Sequence, residues 1–215
     1  MKDLKWFDLT HKVSTRTRPY PGDPGLYIDR NKKSGPDDFV VSTVHAGMHL
    51  GTHADGFSHL LAVGAAISDI PLPAFFGRAI MIRTNPENGL IKTEAIDKKL
   101  VGKQKDADIL IINTGWSDLF DSLAFYDECP GFEPDFPRLL DGYNIRLLGV
   151  DLPTVKFDAS GNAPMHRALF EREIPVVESL RLSDDLPEYF RFFALPLLVE
   201  GIEASPVRAM AVISD

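Results

Sequence analysis

ADILIIN, residues 107–113, is the stretch from which the fold can be read. Its heart is apolar without alternation, so it reads as a strand buried on both faces. On either side lie runs of the same character. GRAIMIRT at 77–84, IRLLGVD at 145–151 and IPVVE at 174–178 are further strands. Residues 39–48 are rich in β-branched side chains and roughly alternate, so they also read as extended. Two late runs, 191–198 and 207–213, add strands near the C-terminus. Helices are fewer. Residues 93–101 carry Thr93 as a cap and Gly102 just beyond the end. Residues 165–173 follow Pro164, which suits a first turn, and set Met165 and Leu169 on one side. Residues 135–141 form a third, weaker pattern. Strands interspersed with helices give an α/β or mixed α+β class, and 215 residues suit one domain, 1–215. YPGDP at 20–24 is a dense turn signal, and ECPGFEPDFP at 128–137 is a long loop of the kind that often covers sites.

Composition narrows the function. The chain holds 31 acidic and 23 basic residues, a net charge of −8, which disfavours non-specific binding to nucleic acid or anionic membrane. Cys129 is the single cysteine, so no internal disulfide forms. It sits between acidic neighbours and Pro130, where a thiolate is disfavoured. The longest hydrophobic run is about eight residues, 192–199, interrupted by Pro196 and far short of the roughly 20 that span a bilayer. The opening MKDLKWFDLTHK has no apolar core segment and does not read as a signal peptide. The expectation is a cytoplasmic protein with a small-molecule substrate and no nucleic-acid or membrane partner.

The histidines are unevenly placed. There are six, and four of them (His45, His49, His53 and His59) fall within residues 45–59, where chance would put fewer than one. In an extended chain His49, His53 and Asp55 share parity and face one way. Gly51 and Thr52 disfavour the alternative, a helix, so the stretch reads as an extended or looped strand end that presents the three side chains to one point. Imidazole and carboxylate are the usual ligands of divalent zinc, manganese or iron, and a three-ligand set leaves positions open for chemistry. His59, four residues on, is either a further ligand or a base beside the metal. His11 and His45 read as ordinary core or surface residues. The HExxH, GxSxG, Walker and GxGxxG patterns are all absent.

HLGTHADGFSH at 49–59 resembles the HxGTHxDxxxH signature of the cyclase-like metal-dependent hydrolases, a family that includes bacterial kynurenine formamidase and isatin hydrolase. DLTH at 8–11, YPGDP at 20–24, INTGWSD at 112–118 and GVDLPTVKFD at 149–158 are similar to other family segments, as are the isolated His166 and Glu178. The resemblance implies a mixed, β-barrel-like sheet with flanking helices (the swivelling β/β/α arrangement). It implies one metal on His49, His53 and Asp55, with Asp55 bridging to a second site that uses His166 and Glu178. It implies His59 as the acid/base, and Zn²⁺ or Mn²⁺ at one or two ions per subunit of a homodimer or homotetramer. Glu178 ends the expected strand IPVVE, where a buried carboxylate needs a partner such as a metal.

The activity implied is hydrolysis of an amide, foremost an aryl formamide such as N-formylkynurenine. The alternatives are ring opening or cyclisation of a lactam, lactone or polyketide-like substrate, and a non-catalytic metal-binding role, against which His59 argues. Formamidases commonly carry Ala-Pro where this chain has Gly56-Phe57, so its pocket is expected to differ. Trp6, Phe57 and Trp116 are the aromatic side chains available to wall a flat ring.

Overall fold

The computed structural model describes residues 4–32, 39–103, 107–157 and 161–214. Asp158, which closes the GVDLPTVKFD segment, lies outside them. Among the described residues the strands are β1 (Leu4–Asp8), β2 (Tyr27–Lys32), β3 (Val40–His45), β4 (His53–Asp55), β5 (Phe76–Arg83), β6 (Leu90–Ile91), β7 (Ile109–Asn113), β8 (Gly131–Phe132), β9 (Leu148–Val150), β10 (Val176–Glu178), β11 (Tyr189–Phe193), β12 (Ala204–Pro206) and β13 (Met210–Ser214). The helices are α1 (Thr93–Leu100), α2 (Ala124–Asp127), α3 (Phe136–Leu140) and α4 (Ala163–Phe170).

Nine strands form one mixed sheet, curled into a half-barrel, in the order β1-β13-β11-β5-β7-β9-β10-β4-β12. Its centre, β5-β7-β9-β10, is parallel, and antiparallel pairs extend it at both sides. β7 lies at the heart of this sheet with all five residues buried. Successive side chains alternate across a sheet, so Leu110 and Ile112 join the core beneath the helices, with Ile80, Ile82, Leu148 and Val150. Ile109 and Ile111 enter the core on the opposite face, with Ala79, Met81, Val177 and Phe192. Two apolar faces leave no room for polar alternation, which is why the run is continuous.

The sheet also joins two of the segments quoted from the sequence. Asp151, just past β9, is fully buried. Its carboxylate accepts hydrogen bonds from the Thr114 amide (3.0 and 3.1 Å), the Thr114 hydroxyl (2.8 Å) and the Trp116 amide (2.9 Å). INTGWSD is therefore pinned to GVDLPT. Burial pushes the Asp151 carboxyl up to about 6, against the pull of those donors.

Several expected boundaries move. Thr93 is the first residue of α1 rather than its cap; its amide donates to Glu133 Oε2 at 2.9 Å and its hydroxyl to Asp135 Oδ1 at 2.6 Å, so distant carboxylates satisfy the helix start. Residues 128–137 contain a buried strand, β8, paired in parallel with β6. The Phe132 amide also donates to the Lys156 carbonyl at 2.7 Å, so this segment packs under the helix layer. β11 begins at Tyr189 and stops at Phe193, before Pro196, which has no amide proton to extend the ladder. No helix among the described residues is long and apolar enough to cross a membrane.

Candidate metal centre

β4 is three residues long and paired on both sides. His53 lies opposite Glu178 of β10 and Pro206 of β12, and Asp55 lies opposite Val176 and Ala204. His53, Asp55 and Glu178 therefore share one face of the sheet, while Ala54 and Val177 enter the core on the other. His166 reaches the same point from α4. His59 comes from a short 3₁₀ turn, Phe57–His59. His49 arrives differently from the strand parity expected for it. It precedes β4 in a turn, where Gly51 has φ of +69° and a Cβ would lie 2.5 Å from Val13 Cγ1. Glycine permits both the left-handed conformation and the close approach.

The distances are short. His49 Nδ1 lies 3.0 Å from Asp55 Oδ1, and His53 Nε2 lies 3.3 Å from the same oxygen and 3.4 Å from Glu178 Oε2. His166 Nε2 lies 3.0 Å from Glu178 Oε1 and 3.3 Å from Asp55 Oδ2. Behind the rings, His53 Nδ1 faces the Gly51 carbonyl at 2.8 Å and His166 Nδ1 faces the Asn162 carbonyl at 3.0 Å. A carbonyl only accepts, so in both rings Nδ1 carries the proton and Nε2 is turned inward. Such a backing hydrogen bond is the usual support of a metal-ligating histidine. The Val155 amide holds Glu178 Oε1 at 2.8 Å.

Charge is concentrated where water is excluded. Burial opposes ionisation of Asp55, but the surrounding imidazoles, led by His53, keep its carboxyl well below the usual range. Burial and Asp55 both push Glu178 up; His166 and His53 outweigh them and hold it below normal. Reciprocally, burial works against a charge on His166, yet Glu178 and Asp55 raise its pKa to about 10. Burial lowers the pKa of His59, an effect that Asp55 only partly offsets and that the neighbouring imidazoles reinforce, so His59 is a neutral base near pH 7.

The donor set fits a divalent cation. Asp55 is 1% exposed, and among the described residues neither of its oxygens has a hydrogen-bond partner, nor does His53 Nε2. A buried carboxylate whose only partners are imidazoles lacks aligned hydrogen bonds and is costly, and a cation among these atoms removes the cost. Asp55 belongs to two ligand-capable groups, one with His49 and His59 and the other with His53 and Glu178. The cluster opens into a pocket of about 340 Å³ whose remaining wall includes Tyr20, Asp23, Thr154, Asn162 and Glu203.

The structure thus brings together His49, His53, Asp55, His59, His166 and Glu178. It places the three aromatic residues elsewhere. Trp6 is 60% exposed on β1, opposite Val212 at the sheet margin. Phe57 packs against Phe170 with ring centroids 5.8 Å apart. The Trp116 indole donates to the Phe125 carbonyl at 3.0 Å. None of the three lines the pocket. The loop at 128–137 does not line it either, whereas the turn at 20–24 does, through Tyr20 and Asp23. Glu203 was not legible in the sequence; no local pattern marks it, and only the β4–β12 pairing brings it to the pocket.

A curled mixed sheet carrying a buried histidine–carboxylate cluster at the mouth of a pocket defines a metal-dependent hydrolase of the cyclase fold. Residues 7–157 match the Cyclase family model, described as "Putative cyclase", and the chain belongs to that family. It is 30% identical over 207 residues to the kynurenine formamidase of Geobacillus thermodenitrificans (strain NG80-2), covering 95% of each chain. Among solved structures it resembles an isatin hydrolase bound to the product analogue thioisatinate, with a TM-score of 0.85 and 20% identity over 99% of this chain and 93% of that one. It also resembles a potential metal-dependent hydrolase with cyclase activity, with a TM-score of 0.80 and 25% identity over 99% and 100% of the two chains.

Proposed function

We propose that this chain hydrolyses the carbon–nitrogen bond of a small amide, with an aryl formamide of the N-formylkynurenine kind as substrate. The observation that carries the reading is the convergence of Asp55, Glu178, His49, His59 and His166 on one pocket, with His53 packed against both carboxylates. Full-length similarity to a kynurenine formamidase supports the choice of substrate.

His49, His53, Asp55, His166 and Glu178 would hold the cation. When bound, a divalent metal supplies Lewis acidity that makes water ionisable near neutral pH and polarises a carbonyl. His59 stands beside the cluster, its ring centroid 4.4 Å from that of His49 and 5.7 Å from that of His166. Being neutral, its ring accepts the proton of the attacking water and returns it to the leaving nitrogen. Asn162 and the Gly51 carbonyl keep the supporting imidazoles in one tautomer throughout.

On the same reading the ion is Zn²⁺ or Mn²⁺, one or two per subunit, and the chain acts as a cytoplasmic homodimer or homotetramer. Exposed Val40 and Val44, which share one face of the separate two-stranded β2–β3 sheet, support self-association, since an isolated strand pair is marginal in water and apolar patches mark contact surfaces. The test is formate release from N-formylkynurenine beside ring opening of isatin, with chelation and metal restoration. Metal-restorable turnover of the formamide is expected. Preference for isatin would overturn the substrate, and inactivity on both by metal-loaded protein would overturn the reaction.

A further inference from the structure

His49, which is half-buried, differs from the buried imidazoles of the cluster in how it is supported. His53 and His166 each have a main-chain carbonyl behind the ring. His49 has a carboxylate instead: its Nε2 lies 3.3 Å from Glu203 Oε1, while its Nδ1 faces Asp55 Oδ1 at 3.0 Å. The two acids approach the ring through its two nitrogens. Glu203 itself is held by main-chain bonds. Its carbonyl accepts the Gly56 amide at 2.8 Å, and the next residue, Ala204, is paired with Asp55. The segment carrying Glu203 is therefore tied to both sides of the Asp55–Gly56 step. Its side chain is 41% exposed and lines the pocket.

We propose that Glu203 is the positioning residue for His49, accepting its Nε2–H and so leaving the Nδ1 lone pair free for a cation shared with Asp55. This rests on the metal reading above. A turn residue has no helix or strand to fix its ring, so His49 needs an outside acceptor more than its neighbours do. A carboxylate acceptor also raises the basicity of the ligating nitrogen. Glu203 meets the ring at Nε2, the nitrogen turned away from Asp55, and its side chain is 41% exposed, which separates support from coordination.

Titration of the metal-free protein with Zn²⁺ and with Mn²⁺, against a competing chelator, tests the assignment for wild type, Glu203→Ala and Glu203→Gln. Glu203→Ala is expected to saturate at the wild-type metal-to-protein ratio but to bind about 10–100-fold more weakly. Glu203→Gln, which keeps the shape and an acceptor oxygen, is expected between the two and serves as the folding control. Glu203→Ala binding within about twofold of wild type would overturn the proposal while leaving the metal reading standing. Loss of a whole metal equivalent in Glu203→Ala would make Glu203 a ligand and overturn it too. Failure of the wild type to take up either metal would remove the metal reading and this proposal with it.

Discussion

His59 and His11 are both partly buried imidazoles, and their neighbours give them different work. His59 faces the cluster, and burial with two nearby imidazoles keeps it unprotonated. If it moves the proton, His59→Ala should keep fold and metal while kcat falls about 10²–10⁴-fold. Metal analysis beside turnover separates this from a ligand role, in which metal and activity fall together. His11 stacks on Phe120 with centroids 3.8 Å apart, and its buried Nε2 has no hydrogen-bond partner. Burial, reinforced by Arg181, brings its pKa down to about 4, against the opposing pull of Asp121 and Asp118. The unfolded chain protonates this residue near 6.5 and the folded chain only near 4. His11 thus contributes stability that is complete above pH 6.5 and is lost as pH falls toward 4. Partial exposure discounts the effect to about 2 kcal/mol or less. His11→Phe, which retains an aromatic ring for the stack, should flatten the acid limb of denaturant-unfolding stability over that window; an unchanged slope would refute it. At this scale the cluster was legible because histidine density is visible in a sequence. The aromatic walls were not, because nothing local says that Trp6 pairs with a strand at the other end of the chain.

Strand parity correctly paired His53 with Asp55, which flank one residue of β4, whereas His49 joins them by the looped form of that reading, because β4 is only three residues long and is preceded by a turn. The continuous apolar strands could be read from their own residues, whereas β6, β8 and β12 are too short to carry a period and exist through their partners. Close packing also constrains the chain just past β4. A Cβ on Gly56 would lie 2.9 Å from the Ile67 amide nitrogen and 3.1 Å from the Glu203 carbonyl, both main-chain atoms. A Cβ on Gly149 would meet the tips of Ile111 and Leu180 instead, at 2.5 and 2.8 Å. Side-chain tips rotate more readily than paired strands separate. Gly56→Ala should therefore destabilise by about 1–3 kcal/mol and weaken metal binding, while Gly149→Ala should affect stability without altering metal affinity. Equal metal affinity in Gly56→Ala and wild type would show that β4 and β12 are not tied as described.

The whole molecule buries two carboxylates, Asp55 and Glu178, at the base of the pocket, where each is almost wholly shielded from solvent. In the metal-free state protonated imidazoles balance them; His166 carries its proton across the neutral range because Glu178 and Asp55 outweigh the cost of burial. A divalent cation replaces that balance, so binding must expel protons and must weaken as pH falls. Calorimetric titration with Zn²⁺ in buffers of different ionisation enthalpy should show a buffer-dependent heat equivalent to net proton release, and a buffer-independent heat would contradict the account. The same exchange bears on folding, since the proposed ligands meet only when β4, the turn before it, β10 and α4 come together. Metal at 100 times its dissociation constant adds about 2.7 kcal/mol to a state that alone binds it. For a chain of this length that corresponds to a Tm about 5–10 °C higher than after chelation. Asp55→Asn should abolish that increment, because Asp55 is common to both ligand-capable groups. A metal-independent Tm in the wild type would mean that the cluster is satisfied by its own protons and that the cation is not part of the folded state.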